Sequence, residues 1–137
     1  MNELVLDAWA LMVWLKAQQP AASRVRALLD RAGRGECKLV MSIVNLGEVF
    51  YLTAKAKNVK YAQGVLETLR PLIMTESATN ELVMAAATLK ARYAISYADG
   101  FAAATAIARD VPLVTGDTEL RAVAATEKAV KLEWIGD

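Results

Sequence analysis

The chain has 137 residues, 55% of them hydrophobic and 23% charged, and carries a formal net charge of +1. Such a chain can bury a substantial core in one domain, here expected to span residues 1–137, and its charge balance excludes both a disordered tail and a protein that coats nucleic acid by bulk positive charge. The absence of histidine and the presence of a single cysteine exclude a Ser-His-Asp triad, a histidine-based nuclease, a zinc site built on histidine or on thiolates and an intrachain disulfide, so any metal has to be held by oxygen.

The run Leu4-Val5-Leu6 reads as a first strand and residues 8–17 as a helix. This apolar stretch is not read as a signal or an anchor. No basic residue precedes it, Asp7 interrupts it, and a bilayer span needs about 20 apolar residues. Pro20 opens a second helix with Val25, Leu28, Leu29 and Ala32 on one face, stopped by Gly33 and Gly35. Residues 37–41 form a strand that holds Cys37, an inert buried thiol suited to a cytoplasmic protein. Ser42 caps a helix to about Lys57, and another helix covers 59–70. Residues 72–75 make a short strand, and Ser77 or Thr79 caps a helix to about Tyr93. Asp99 caps an alanine-rich helix ending near Asp110. A strand over 112–115, a helix over 117–126 and a strand over 130–134 complete the chain. Strands alternating with helices imply an α/β fold of three layers, a mostly parallel five-stranded sheet flanked by helices. Ligands of such sheets sit beyond the carboxyl ends of the strands, where Asp7 and Asp117 both fall.

Four carboxylates stand in or beside apolar sequence: Asp7, Glu48, Asp99 and Asp117. Charges there are costly unless paired, and four brought together repel one another unless a cation joins them. Hard oxygen ligands of this kind suit Mg²⁺ or Mn²⁺. On its helix Glu48 shares a face with Val44, Asn45, Tyr51 and Leu52, so it is expected to pack inward. The alternative is a helix-edge glutamate whose carboxylate reaches water. Asn45 either donates to the same site or fills a polar notch. Asp7, Asp99 and Asp117, each taken singly, can be helix caps. Other phosphate chemistries fit poorly. The turn after the first strand is Asp7-Ala8-Trp9 rather than glycine-rich, no P-loop is present, and Trp9 stands where an aspartyl phosphatase needs its second aspartate.

Four segments, in this order and spacing, carry a resemblance: Leu4-Val5-Leu6-Asp7, Ser42-Ile43-Val44-Asn45-Leu46-Gly47-Glu48-Val49, Tyr97-Ala98-Asp99-Gly100-Phe101-Ala102-Ala103-Ala104 and Leu113-Val114-Thr115-Gly116-Asp117-Thr118-Glu119-Leu120. Together they resemble the PIN domain family, and within it the small VapC-like toxins of prokaryotic toxin–antitoxin pairs. The resemblance runs nearly the whole chain. It implies a Rossmann-like five-stranded sheet and Mg²⁺- or Mn²⁺-dependent endonucleolytic cleavage of RNA. It makes Asp7, Glu48, Asp99 and Asp117 the acidic quartet, with Asp7 and Asp99 as principal metal ligands, Glu48 ligating or orienting water, and Thr115 as the hydroxyl near the fourth acid. Glu119 occupies a place where an extra acid sometimes stands, and is otherwise read as an exposed first-turn residue. The family often carries Ser or Thr just after the first aspartate, whereas this chain has Ala8 and Trp9. That departure motivates an alternative, a catalytically weak PIN-like module that binds RNA or protein. The resemblance also implies an RNA substrate, a cognate antitoxin and a homodimer, with no membrane partner. Trp9, Met12, Val13 and Trp14 on the first helix are either core or the lining of a partner groove, and Lys55, Lys57, Lys60, Arg24, Arg26, Arg31 and Arg34 are either RNA contacts or a solvated face.

Overall fold

The computed structural model describes residues 2–137. In chain order the elements are β1 (Asn2–Leu6), α1 (Ala8–Leu15), α2 (Ala21–Gly33), β2 (Cys37–Ser42), α3 (Ile43–Ala56), α4 (Val59–Leu69), β3 (Ile73–Glu76), α5 (Asn80–Arg92), α6 (Tyr97–Arg109), β4 (Leu113–Thr115), α7 (Thr118–Thr126) and β5 (Leu132–Trp134). The five strands form one sheet in the order β3-β2-β1-β4-β5, and all pairings are parallel. The expected three-layer α/β architecture is therefore present.

Strand alternation divides the core between two layers. Leu4, Leu6, Leu39, Met41 and Val114 point to one face, where α1, α2 and parts of α3 and α4 cover them. Val5, Val40 and Leu113 point to the other, beneath α5, α6 and α7. A period of two along strands buried on both sides explains why these strands read as unbroken apolar runs. Leu39 pairs with Leu4 and Leu113 with Val5, which fixes the register around the central strand.

The chain runs outward from β1 through β2 to β3, then returns to the other side of β1 with β4 and β5. The crevice between the carboxyl ends of β1 and β4 is thus the switch point at which open α/β sheets bind ligands. On the α6 side, Ala102, Ala103, Ala104 and Ala106 are all fully or almost fully buried, and small side chains bring the helix tight onto its neighbours. Gly100 goes furthest: a Cβ there would lie 2.8 Å from the Ala86 carbonyl oxygen of α5.

The alanine-rich helix differs from expectation at its start. Ser96, not Asp99, is its N-cap, and the Ser96 hydroxyl accepts the Asp99 N–H at 3.1 Å. A hydroxyl three residues ahead of an acid is the capping-box spacing, so the cap falls to serine and Asp99 enters the first turn. Thr79 is the cap of α5. Val13 is buried, while Trp9, Met12 and Trp14 are half-buried against the first core layer, so most of the aromatic surface of α1 is core. Among the described residues, no helix is long and apolar enough to cross a membrane.

Candidate functional site

Asp7 follows β1 directly and caps α1, its Oδ1 accepting the Ala10 N–H at 2.9 Å. Its Oδ2 accepts the hydroxyl of Thr115, the last residue of β4. Both residues are buried, Asp7 at 1% exposure. Burial is the main force raising its pKa to about 7; the bonds from Thr115 and Ala10 oppose that rise, and the charges of Asp99 and Asp117 add to it.

Thr115 links the two strand ends. Besides donating to Asp7, its oxygen accepts the Asp117 N–H at 3.0 Å. Asp117 then caps α7 by accepting the Glu119 N–H at 2.8 Å. Asp99 faces this loop from the first turn of α6. Its pKa is also raised to about 7, by burial first and by Asp117 next, with Glu48 and Glu119 contributing and the Ser96 hydrogen bond opposing. Glu48 on α3 is shifted upward by partial burial and by Asp117. Asp117 is therefore the charge that Asp7, Glu48 and Asp99 all feel.

Asp99, Asp117 and Glu119 each present a carboxylate oxygen within 4.8 Å of the others. Two unit charges at that separation repel by about 3.5 kcal/mol at an effective dielectric near 20. Among the described residues, no lysine or arginine forms an ion pair with Asp7, Glu48, Asp99, Asp117 or Glu119. Clustered carboxylate oxygens without a protein countercharge fit a hard divalent cation. Glu119 is exposed and in a first turn, as its sequence position suggested, yet it belongs to the tightest part of the cluster.

The helix carrying Glu48 is rotated from the expected orientation. Its buried stripe is Asn45, Val49 and Thr53, whereas Tyr51 and Leu52 are 51% and 37% exposed. Residues four apart share the inward face, so Glu48 lies at the rim of the site, which agrees with the helix-edge alternative. Asn45 is fully buried, and its Nδ2 donates to the Ala98 carbonyl at 2.9 Å, tying the Glu48 helix to the Asp99 helix. Its Oδ1 has no hydrogen-bond partner. Ser96 escaped the sequence reading, although its spacing from Asp99 was an available signal, and Glu119, noted as a place for an extra acid, was read there as an exposed first-turn residue.

Of the basic residues, Arg34 is held by Glu36 at 2.8 Å, and Lys57 lies 6.0 Å from the Tyr61 ring.

No curated protein matches the chain in sequence. Solved structures do match its fold. VapBC2 from Rickettsia felis, bound to a DNA fragment from their promoter, superposes with a TM-score of 0.70 at 17% identity, covering 96% of this chain and 97% of that one. VapC20 from Mycobacterium tuberculosis, a Sarcin-Ricin loop cleaving toxin, gives 0.71 at 16% identity, covering 88% and 94%. FitAcB from Neisseria gonorrhoeae gives 0.67 at 24% identity, covering 94% and 95%. The sequence profile of the PIN domain matches residues 4–126, the span that holds both strand ends and every acid of the cluster, and the chain belongs to the PIN domain family.

Proposed function

We propose that this chain, acting as a single domain, is a divalent-metal-dependent endoribonuclease and the toxin of a toxin–antitoxin pair. The observation that carries the reading is the set of three carboxylate oxygens within 4.8 Å of one another, near the switch point of a parallel sheet and, among the described residues, without an ion pair to a lysine or arginine. Asp7, Glu48, Asp99 and Asp117, joined by Glu119, would hold Mg²⁺ or Mn²⁺. When bound there, such an ion supplies charge neutralisation at a phosphate and acidifies a water.

The side chains supply the rest. Thr115 fixes the rotation of the Asp7 carboxylate by donating to Oδ2, and each Asp7 oxygen keeps a second lone pair for a ligand. Asn45 ties α3, which carries Glu48, to the Ala98 carbonyl next to Asp99 at the start of α6. Glu48, at the rim of the site, would orient the attacking water and accept its proton as oxygen bonds to phosphorus. The bond from phosphorus to the 3′ oxygen breaks, that oxygen takes a proton from solvent, and the products are a 3′-hydroxyl and a 5′-phosphate.

RNA as substrate is supported by family membership and by the likeness to a Sarcin-Ricin loop cleaving toxin. A cognate antitoxin partner is supported by the likeness to VapBC complexes, and a homodimer belongs to the same reading. Purified protein should cut RNA with Mg²⁺, lose cleavage in EDTA, and lose it again in Asp99→Asn and, in part, Glu119→Gln. Cleavage unaffected by EDTA or by Asp99→Asn would overturn the proposal. RNA retained but uncut by the Mn²⁺-loaded protein would favour the binding-module alternative.

A further inference from the structure

The residue that departs from the family pattern, Trp9, has a specific place. It lies in the first turn of α1, two residues after Asp7, and its six-membered ring rests on Gly116. A Cβ built on Gly116 would fall 2.1 Å from Cη2 and 2.4 Å from Cζ3 of that ring. Gly116 is not a glycine because of its backbone angles: among the described residues, Gly35 is the glycine with positive φ. It is a glycine because the indole occupies the volume a side chain would take.

Gly116 is also the link between Thr115 and Asp117. Thr115 is tied to Asp7, and Asp117 is tied to Thr115 by its N–H and to α7 by its cap. The peptide between them has the Trp9 ring packed against it. Asp117 must keep a carboxylate oxygen within 4.8 Å of those of Asp99 and Glu119, an arrangement of acids that needs a rigid backing for the loop. We propose that Trp9 is a positioning residue: its ring, seated on Gly116, holds the β4–α7 loop so that Asp117 stays in place to bind a divalent cation. This rests on the metal site proposed above. It makes Trp9 and Gly116 a matched pair, with the aromatic ring supplying by packing a rigidity that a hydroxyl after the first aspartate cannot supply.

The test is Mn²⁺ affinity, read by the paramagnetic resonance signal of free Mn²⁺, on the full chain as wild type, Gly116→Ala, Trp9→Leu and the double variant. Thermal melting checks that each is folded. Gly116→Ala forces the ring away and should weaken Mn²⁺ binding about tenfold, the scale of losing a group that orients a ligand. Trp9→Leu should weaken it by about threefold, with less packing lost, and the double variant should bind more tightly than Gly116→Ala because the methyl then has room. Should Gly116→Ala fail to fold, Trp9→Leu, which creates no clash, carries the test. Single variants that are folded and bind Mn²⁺ like wild type, or single losses that simply multiply in the double variant, would overturn the inference. A wild-type protein that binds no Mn²⁺ would overturn the metal site itself, and the wild-type titration alone distinguishes that case.

Discussion

Replacing Asp7 with asparagine should stabilise the metal-free protein at neutral and alkaline pH. The folded chain holds a proton on Asp7 up to about pH 7, whereas the unfolded chain releases it near the ordinary 3.8. Between those values the folded state binds more protons, so stability is full below about pH 4 and falls as pH rises to 7. The span from 3.8 to about 7 corresponds to about 4 kcal/mol for this 1%-exposed carboxyl. Asparagine keeps the cap on Ala10, since its Oδ1 can still accept, but its amide nitrogen leaves the buried Thr115 hydroxyl without an acceptor, at a cost of about 2 kcal/mol. The net gain is about 2 kcal/mol, or roughly 8 °C in melting temperature at about 4 °C per kcal/mol for a chain of this size. The assay is thermal melting of both proteins in EDTA from pH 4 to pH 8. The variant should melt below wild type at pH 4, where only the lost Thr115 bond counts, and the curves should cross and reverse as pH rises to 8, while Mn²⁺ should raise the wild type and leave the variant nearly unmoved. A variant that melts below wild type at pH 8 in EDTA, or a wild type whose melting temperature is flat from pH 5 to 8, would refute the reasoning.

Asn45→Ala removes the buried tie to the Ala98 carbonyl and should cost about 1 to 3 kcal/mol in urea unfolding, with a matching loss of Mn²⁺ affinity as α3 and α6 loosen. Gly100→Ala places a methyl 2.8 Å from the Ala86 carbonyl oxygen; the helices must part, and about 1 to 3 kcal/mol of stability should be lost in the same measurement.

The sheet was legible because its strands are short apolar runs set between helical patterns, and each of the five was anticipated near its observed place. Their order was not legible, since periodicity does not say which strand lies beside which. At the site, Asp7 and Asp117 were legible as residues at strand ends. The role of Asp99 as a cap was misjudged because two capping residues, Ser96 and Asp99, stand three apart and hydrogen bonding chose the first. The face of Glu48 was misjudged because Tyr51 and Leu52 are apolar yet exposed; composition marks a helix stripe only within about one position. The seat of Trp9 on Gly116 joins residues with no local signal between them, so only the folded chain reveals it.

The bond between Thr115 and Asp7 spans 108 positions of chain, and β2, the partner on one edge of β1, precedes β4, the partner on its other edge, by about 70 positions. A growing chain can therefore build half the sheet, with Asp7 and Glu48 already made, while the opposite wall of the acid cluster has yet to be synthesised. The cluster is complete only where β4 lies beside β1 and the start of α7 lies near Asp99. A chain that stops short of residue 119 lacks part of this cluster, whatever portion of the sheet it has formed.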